Sequence, residues 1–183
     1  LLQLDGGSEE AVVQDLATIQ TKLNLPAENI FIAATPGQKE RLWQARRSIR
    51  EALKTESPVF LAEDCVVPRS RITVFLKNLK RYFTGRNLQS IMFGHAGDGN
   101  VHIDILKGEM PLETWNALLP EIKRSVYRQA IDLGGTITGE HGVGHLRKQY
   151  LPLILDEKHI DLMKRIKHAF DPDLILNPGK IFP

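Results

Sequence analysis

Residues 88–106 constrain the fold most. Leu88 to Phe93 is an apolar run, Asp98-Gly99 is a turn dipeptide, and Val101, Ile103 and Ile105 alternate with His102 and Asp104. An Asp-Gly turn between two such runs predicts an antiparallel hairpin. Period-two alternation predicts a half-buried second strand that hides its three aliphatics and shows His102 and Asp104 on the other face. Helices gathered on one face of such a sheet give an α+β fold.

The rest of the chain supplies those helices. Apolar residues recur at helical spacing in five stretches: Val12, Leu16, Ile19 and Leu23; Leu42, Ala45, Ile49 and Leu53; Ile72, Phe75, Leu76, Leu79 and Phe83; Ile122, Val126, Ala130 and Leu133; and Ile160, Met163, Ile166 and Phe170. Ser8, Ser70 and Asp156 stand as N-cap residues, and Gly134-Gly135 ends the helix that starts near Leu112. Short strands are expected at residues 1–4, 30–34 and 59–67. The expected order is β-α-β-α-β-α-β-β-α-α.

At 183 residues the chain predicts a single domain, 1–183. It opens on Leu1 without a signal-like leader, so a piece of a longer chain is expected. No run approaches the ~18 apolar residues of a membrane span, and a net charge of +2 does not point to nucleic acid. The one cysteine, Cys65, cannot form an internal disulfide, which fits a reducing compartment. The expected location is the cytoplasm, either free or peripheral to a membrane.

Nine of the 14 glycines and four of the six histidines fall between residues 94 and 145. Two segments carry them. In Gly94-His95-Ala96-Gly97-Asp98-Gly99-Asn100-Val101-His102, one reading is a hairpin turn flanked by two histidines. The other is a metal site, because imidazole suits zinc and similar ions. On one straight strand, a seven-residue offset would put His95 and His102 on opposite faces. The glycine turn lets them converge. A dinucleotide phosphate loop is excluded, since a strand follows instead of a helix. The second segment is Gly139-Glu140-His141-Gly142-Val143-Gly144-His145. Its glycines disfavour the helix that a zinc-protease motif needs, at about 1 kcal/mol each. In a loop, one of Glu140 and His141 can ligate a metal while the other faces a substrate. Arg46 and Arg50, four apart, read as a solvated face or as a carboxylate clamp.

These segments, with Asn177-Pro178-Gly179-Lys180, Glu63-Asp64-Cys65-Val66-Val67-Pro68-Arg69 and Leu42-Trp43-Gln44-Ala45-Arg46, resemble the C-terminal domain of FAD-linked oxidases. The resemblance is to the glycolate oxidase, D-lactate dehydrogenase and D-2-hydroxyglutarate dehydrogenase type, nearest the first. It implies a ferredoxin-like antiparallel sheet, helices mainly on one face, capping a flavin held by an N-terminal domain. It places His95, His102 and Glu140 on metal ligands, usually zinc, and His141 on the catalytic base. Arg46 falls on the residue gripping the substrate carboxylate, with Asn100 and Asp104 beside the metal site as substrate-binding positions. Asn177 lies in a tail, 171–183, that returns toward the flavin.

The implied reaction is oxidation of a 2-hydroxy acid to a 2-oxo acid with hydride transfer to FAD. An iron–sulfur subunit, a quinone or a cytochrome would accept the electrons. Two positions depart from the family pattern: Arg147 stands where Lys is common, and Ala62 stands where the hydroxyglutarate type carries a basic group. The latter points to glycolate or D-lactate. Two other readings compete: a stand-alone metal-binding module for a small ligand, and a zinc hydrolase with Glu140 as base.

Overall fold

A computed structural model describes residues 1–24 and 26–183. The chain divides into two compact units, Leu1–Glu56 and Ser57–Pro183.

The first unit is helical. Helix α1 (Glu9–Leu23) starts where the Ser8 hydroxyl accepts from the Ala11 N–H, and it ends at Asn24, whose φ of 49° is left-handed. Helix α2 (Pro36–Arg47) opens on a capping box. The Thr35 hydroxyl accepts from the Gln38 N–H, and the Gln38 side chain accepts in return from the N–H groups of Ala34 and Thr35. Two expectations are corrected. Residues 1–4 and 30–34 form no strand. At 34–35 the backbone donors that a ladder would need are taken by Gln38. The helix expected through Leu53 is broken at Ser48 into α2 and α3 (Ile49–Glu56). There the Ser48 hydroxyl donates back to the Ala45 carbonyl, a local bond that competes with continuing the helix.

The second unit holds the sheet. Strand β1 (Phe60–Val66), helix α4 (Ile72–Thr84), strands β2 (Gln89–His95) and β3 (Asn100–Leu106), and helix α5 (Leu112–Asp132) follow in order. Helix α6 (Glu157–Phe170) comes last, after a 3₁₀ turn at Lys148–Leu153. Ser70, expected as an N-cap, is not one: Arg71 precedes α4, which starts at Ile72. Arg69–Arg71 is itself a 3₁₀ turn, and α4 has no side-chain cap.

The three strands lie in the order β1-β3-β2, all antiparallel. Thr136 adds an antiparallel bridge to Val66 on the free edge of β1, with Val66 N–H donating to Thr136 O and Thr136 N–H to Val66 O. Strand, helix, hairpin, helix and return to the first strand make the ferredoxin-like α+β arrangement.

Alternation divides the sheet into two faces. Cys65, Val67, Val101, Ile103 and Ile105 turn toward α4 and α5. They form the core with Phe75, Leu79, Phe83, Trp115, Ile122, Val126 and Tyr127. Asp64, Asn100, His102 and Asp104 take the other face, with His95 and Phe93 of β2 beside them in register.

One charged residue stands on the core face. Glu63 is 2% exposed, yet it faces the helices. The Arg147 guanidinium lies 3.0 Å from its Oε2, and the Tyr127 hydroxyl donates to the same oxygen at 2.6 Å. Lys123 Nζ lies 3.6 Å from Oε1. Burial and the neighbouring Glu63 carboxylate push the Tyr127 hydroxyl well above its ordinary pKa, so it stays a donor. Tyr127→Phe removes that donor and leaves Arg147 and Lys123 in place. The expected cost is about 1–2 kcal/mol in urea unfolding. A change below experimental error would mean the hydroxyl bond contributes nothing net.

Candidate metal and substrate site

The hairpin tip sets the first half of the site. The His95 carbonyl accepts from the Gly99 N–H at 3.1 Å, and the Asp98 side chain accepts from the Asn100 N–H at 2.9 Å. Gly99 has φ of 87°, and a Cβ there would sit 2.0 Å from the Val67 carbonyl oxygen. Glycine is therefore required both by the turn and by its approach to the end of β1. This turn reverses the chain so that His95 pairs with Asn100 and shares the face of His102. The His95 and His102 rings stand 5.8 Å apart, edge to face. The turn puts the two rings side by side on one face, but His95 is not among the donors that gather within 4.8 Å of one another around His102.

The second half is the segment after α5. Gly134 (φ 81°) ends the helix, Ile137 anchors in the core, and residues 138–141 pass over β1 as a loop. Gly142 and Gly144 have positive φ, and 140–145 is not helical. The helical zinc-hydrolase arrangement is thus absent.

Asp64, directly opposite His102 on the sheet, gathers this loop. Its Oδ2 accepts from the N–H groups of Gly139, Glu140 and His141 at 2.9, 3.0 and 3.1 Å, and from the Thr138 hydroxyl at 3.4 Å. Its Oδ1 accepts from Asn100 Nδ2 at 2.8 Å. Burial opposes ionisation of Asp64. The bonds donated by His141, Asn100, Gly139 and Glu140 outweigh it and hold the carboxyl at about 2. The Asn100 Oδ1 is buried and has no hydrogen-bond partner among the described residues.

The loop thereby brings its side chains to His102. Glu140 Oε1 lies 3.3 Å from His102 Nε2 and 3.8 Å from His141 Nε2. The His102 and His141 rings are stacked with centroids 5.6 Å apart. Donor atoms of Asp64, His102, Glu140 and His141 all lie within 4.8 Å of one another. His102 is 5% exposed at its side chain, whereas His141 is 41% and Glu140 54% exposed. The cluster has a buried floor and an open rim. Imidazoles and a carboxylate at this spacing are the donors a zinc-like divalent ion takes, so the residues fit such an ion.

The remaining expected site residues lie on several elements. His95 flanks His102 at the exposed hairpin tip. Asp104 sits on the same face, fully buried, opposite Ala62 of β1. Arg46 lies on α2 of the first unit. Asn177 is in the tail, lining a cleft with Met163, Lys167, Ile181 and Phe182. The tail is tied to the glycine loop, since the Ile181 N–H donates to the Gly144 carbonyl and Lys148 Nζ to the Gly179 carbonyl.

Residues 1–181 match the family described as FAD linked oxidases, C-terminal domain. The chain belongs to that family. Three relatives show its range. A D-lactate dehydrogenase of Anaerostipes hadrus is 34% identical over 99% of this chain and 38% of its own length. The glycolate oxidase subunit GlcD of Bacillus subtilis is 38% identical over 100% of this chain and 39% of its own length. A D-2-hydroxyglutarate dehydrogenase of Stutzerimonas stutzeri is 30% identical over 100% of this chain and 40% of its own length. The chain therefore spans about two-fifths of the curated relatives it matches. Membership in an FAD-linked family implies FAD as the redox cofactor. No helix among the described residues is long and apolar enough to cross a membrane.

Sequence reasoning missed Asp64 and Glu63 as site-building residues. The signal was available: two adjacent acids inside an otherwise apolar strand must face opposite sides, and each needs a partner if buried.

Proposed function

We propose that this chain is the substrate- and metal-binding domain of an FAD-dependent 2-hydroxy-acid dehydrogenase. It acts on glycolate or D-lactate and yields the 2-oxo acid. The observation that supports this is the convergence of His102, Glu140 and His141 from two glycine-rich segments onto one open-rimmed cluster.

His102 and Glu140, with His95 at the hairpin tip, would hold the divalent ion, and zinc suits this donor set. Bound there, the ion would acidify the substrate 2-hydroxyl and fix its orientation. FAD, carried by a domain beyond this chain, supplies the acceptor for the hydride leaving C2. The chain's own residues do the rest. His141, with an accessible ring on the rim, takes the hydroxyl proton. Arg46 is assigned the substrate carboxylate from the motif it shares with the family, where a guanidinium binds carboxylate bidentately. Asn100 offers its open Oδ1 as an acceptor, and Asp104 lines the same face. Ala62 supplies no second cation, which favours a monocarboxylate. The tail 171–183 exposes Leu174, Ile175 and Leu176 and would carry Asn177 toward the flavin domain. A quinone or an iron–sulfur subunit would reoxidise the flavin, in the cytoplasm or at a membrane surface.

The test uses the full-length protein. Wild type is expected to be yellow, to copurify with zinc, and to reduce an artificial acceptor with D-lactate or glycolate. His102→Ala should lose the metal. His141→Asn should keep it and lower kcat by about 10²–10⁴-fold. Full metal content in His102→Ala, or turnover of neither substrate, would overturn the proposal.

A further inference from the structure

The floor of the cluster suggests a role for residues that touch neither metal nor substrate. Asp64 lies among the possible ligands by distance, but its Oδ2 is taken up by the loop, while Oδ1 accepts from Asn100 and lies 3.7 Å from His102 Nδ1. A carboxylate offers about four lone-pair positions. Three backbone N–H groups and the Thr138 hydroxyl converge on Oδ2, and Asn100 Nδ2 donates to Oδ1. Three consecutive N–H groups turned onto one oxygen wrap the backbone of 139–141 around it, so successive side chains leave in different directions. Here that puts Glu140 Oε1 3.3 Å from His102 Nε2 while the His141 ring stacks on His102 from the rim.

The same loop is held from its other end. Arg147 Nη1 donates to the Gly142 carbonyl at 3.3 Å, while Nε and Nη2 of the same guanidinium hold Glu63 at 3.1 and 3.0 Å. Glu63 and Asp64 are neighbours on β1 and face opposite sides of the sheet. One strand position therefore grips the loop directly on its N–H side, and the adjacent position grips its carbonyl side through Arg147.

We propose that Asp64 is a positioning residue that sets the 139–141 backbone, with the Glu63–Arg147 pair as its second hold, so that Glu140 and His141 meet His102 in register. This deepens the metal-site reading above and rests on it for its consequence. The rigid supporting shell, and not the ligand side chains alone, then decides metal affinity. Loss of such a supporting contact typically weakens metal binding 10–100-fold.

The test compares wild type, Asp64→Asn and Arg147→Lys in the full-length protein. Zinc affinity is measured by chelator competition, and hydrogen exchange is followed in a peptide covering 138–144. Asp64→Asn keeps the shape but turns a donor toward donors on one side. It should speed exchange at 139–141 and weaken zinc at least tenfold, at temperatures where the protein remains folded. Arg147→Lys keeps the charge beside Glu63 and loses the fork that also reaches Gly142. It should speed exchange at 142–144 and weaken zinc by a few fold. If Asp64→Asn does not fold, Arg147→Lys carries the test. A lower melting temperature with unchanged zinc affinity and unchanged loop exchange means a purely structural role and overturns the proposal. Wild type that binds no zinc would defeat the metal reading instead. The hold on the loop would then be judged by exchange alone, where unchanged protection in the variants overturns it.

Discussion

Arg147→Ala is expected to destabilise the domain by about 3–5 kcal/mol, because it leaves a buried carboxylate without its main counter-charge. Glu63 is 2% exposed and faces the helical core, so water cannot replace the guanidinium. Lys123 Nζ at 3.6 Å and the Tyr127 hydroxyl at 2.6 Å remain as partners of the carboxylate, which places the cost toward the lower figure. Arg147 itself loses by burial and gains from Glu63, and the gain wins, holding its pKa above the usual value. It therefore stays charged across the accessible pH range. Urea denaturation of Arg147→Ala should show the loss as a lower midpoint with an unchanged slope. The double variant Glu63→Gln, Arg147→Met should recover much of it, since removing a whole buried pair is often nearly neutral. A loss under about 1 kcal/mol in the single variant would show that Glu63 is adequately compensated without Arg147.

Gly139→Ala should damage the loop half of the site strongly. A Cβ there would stand 2.0 Å from Asn100 Nδ2, 2.9 Å from Asp64 Oδ1 and 2.9 Å from Val66 Cγ2. Asn100 is buried and bonded to Asp64, and Val66 is paired in the sheet, so neither can move away cheaply. The loop must lift, and the bonds from Gly139, Glu140 and His141 to Asp64 go with it. Charge-assisted bonds of this kind contribute roughly 1.5–3 kcal/mol each, so losing even one or two gives about 3 kcal/mol. Gly142→Ala is the control. It has φ of 70° and open space around the new Cβ, so only backbone strain of about 1–2 kcal/mol applies. Unfolding free energies and zinc titrations of the two variants should separate clearly. Equal, mild effects would show that the loop has slack at 139.

The parts of the fold that could be read from the sequence are those whose pattern is local. The Asp98-Gly99 turn and the alternation of Val101, Ile103 and Ile105 specify a hairpin and its two faces without outside help. Gly134-Gly135 stops α5 because it admits a left-handed turn. The apolar runs at 1–4 and 30–34 looked equally strand-like, but a strand exists only where another offers its ladder. Ser48 broke a helix whose apolar spacing was continuous, because a side-chain bond to Ala45 competed with the next turn.

The site divides in the same way. His95, His102, Glu140 and His141 stand out by residue type and by the glycines around them, and their residue types alone suggest metal and proton chemistry. Asp64 and Glu63 did not stand out, because their roles depend on partners 36 to 84 residues away along the chain. Sequence by itself determined the α+β class, the hairpin, the two glycine segments and the kind of chemistry they can hold. Only the tertiary structure decided that β1 is the strand between them. Its pleat sends two adjacent carboxylates to opposite faces, one to the loop backbone and one to the arginine that holds that loop's other end. The physical reason is that burial makes every charge seek a partner, and only the folded chain determines which partner is in reach.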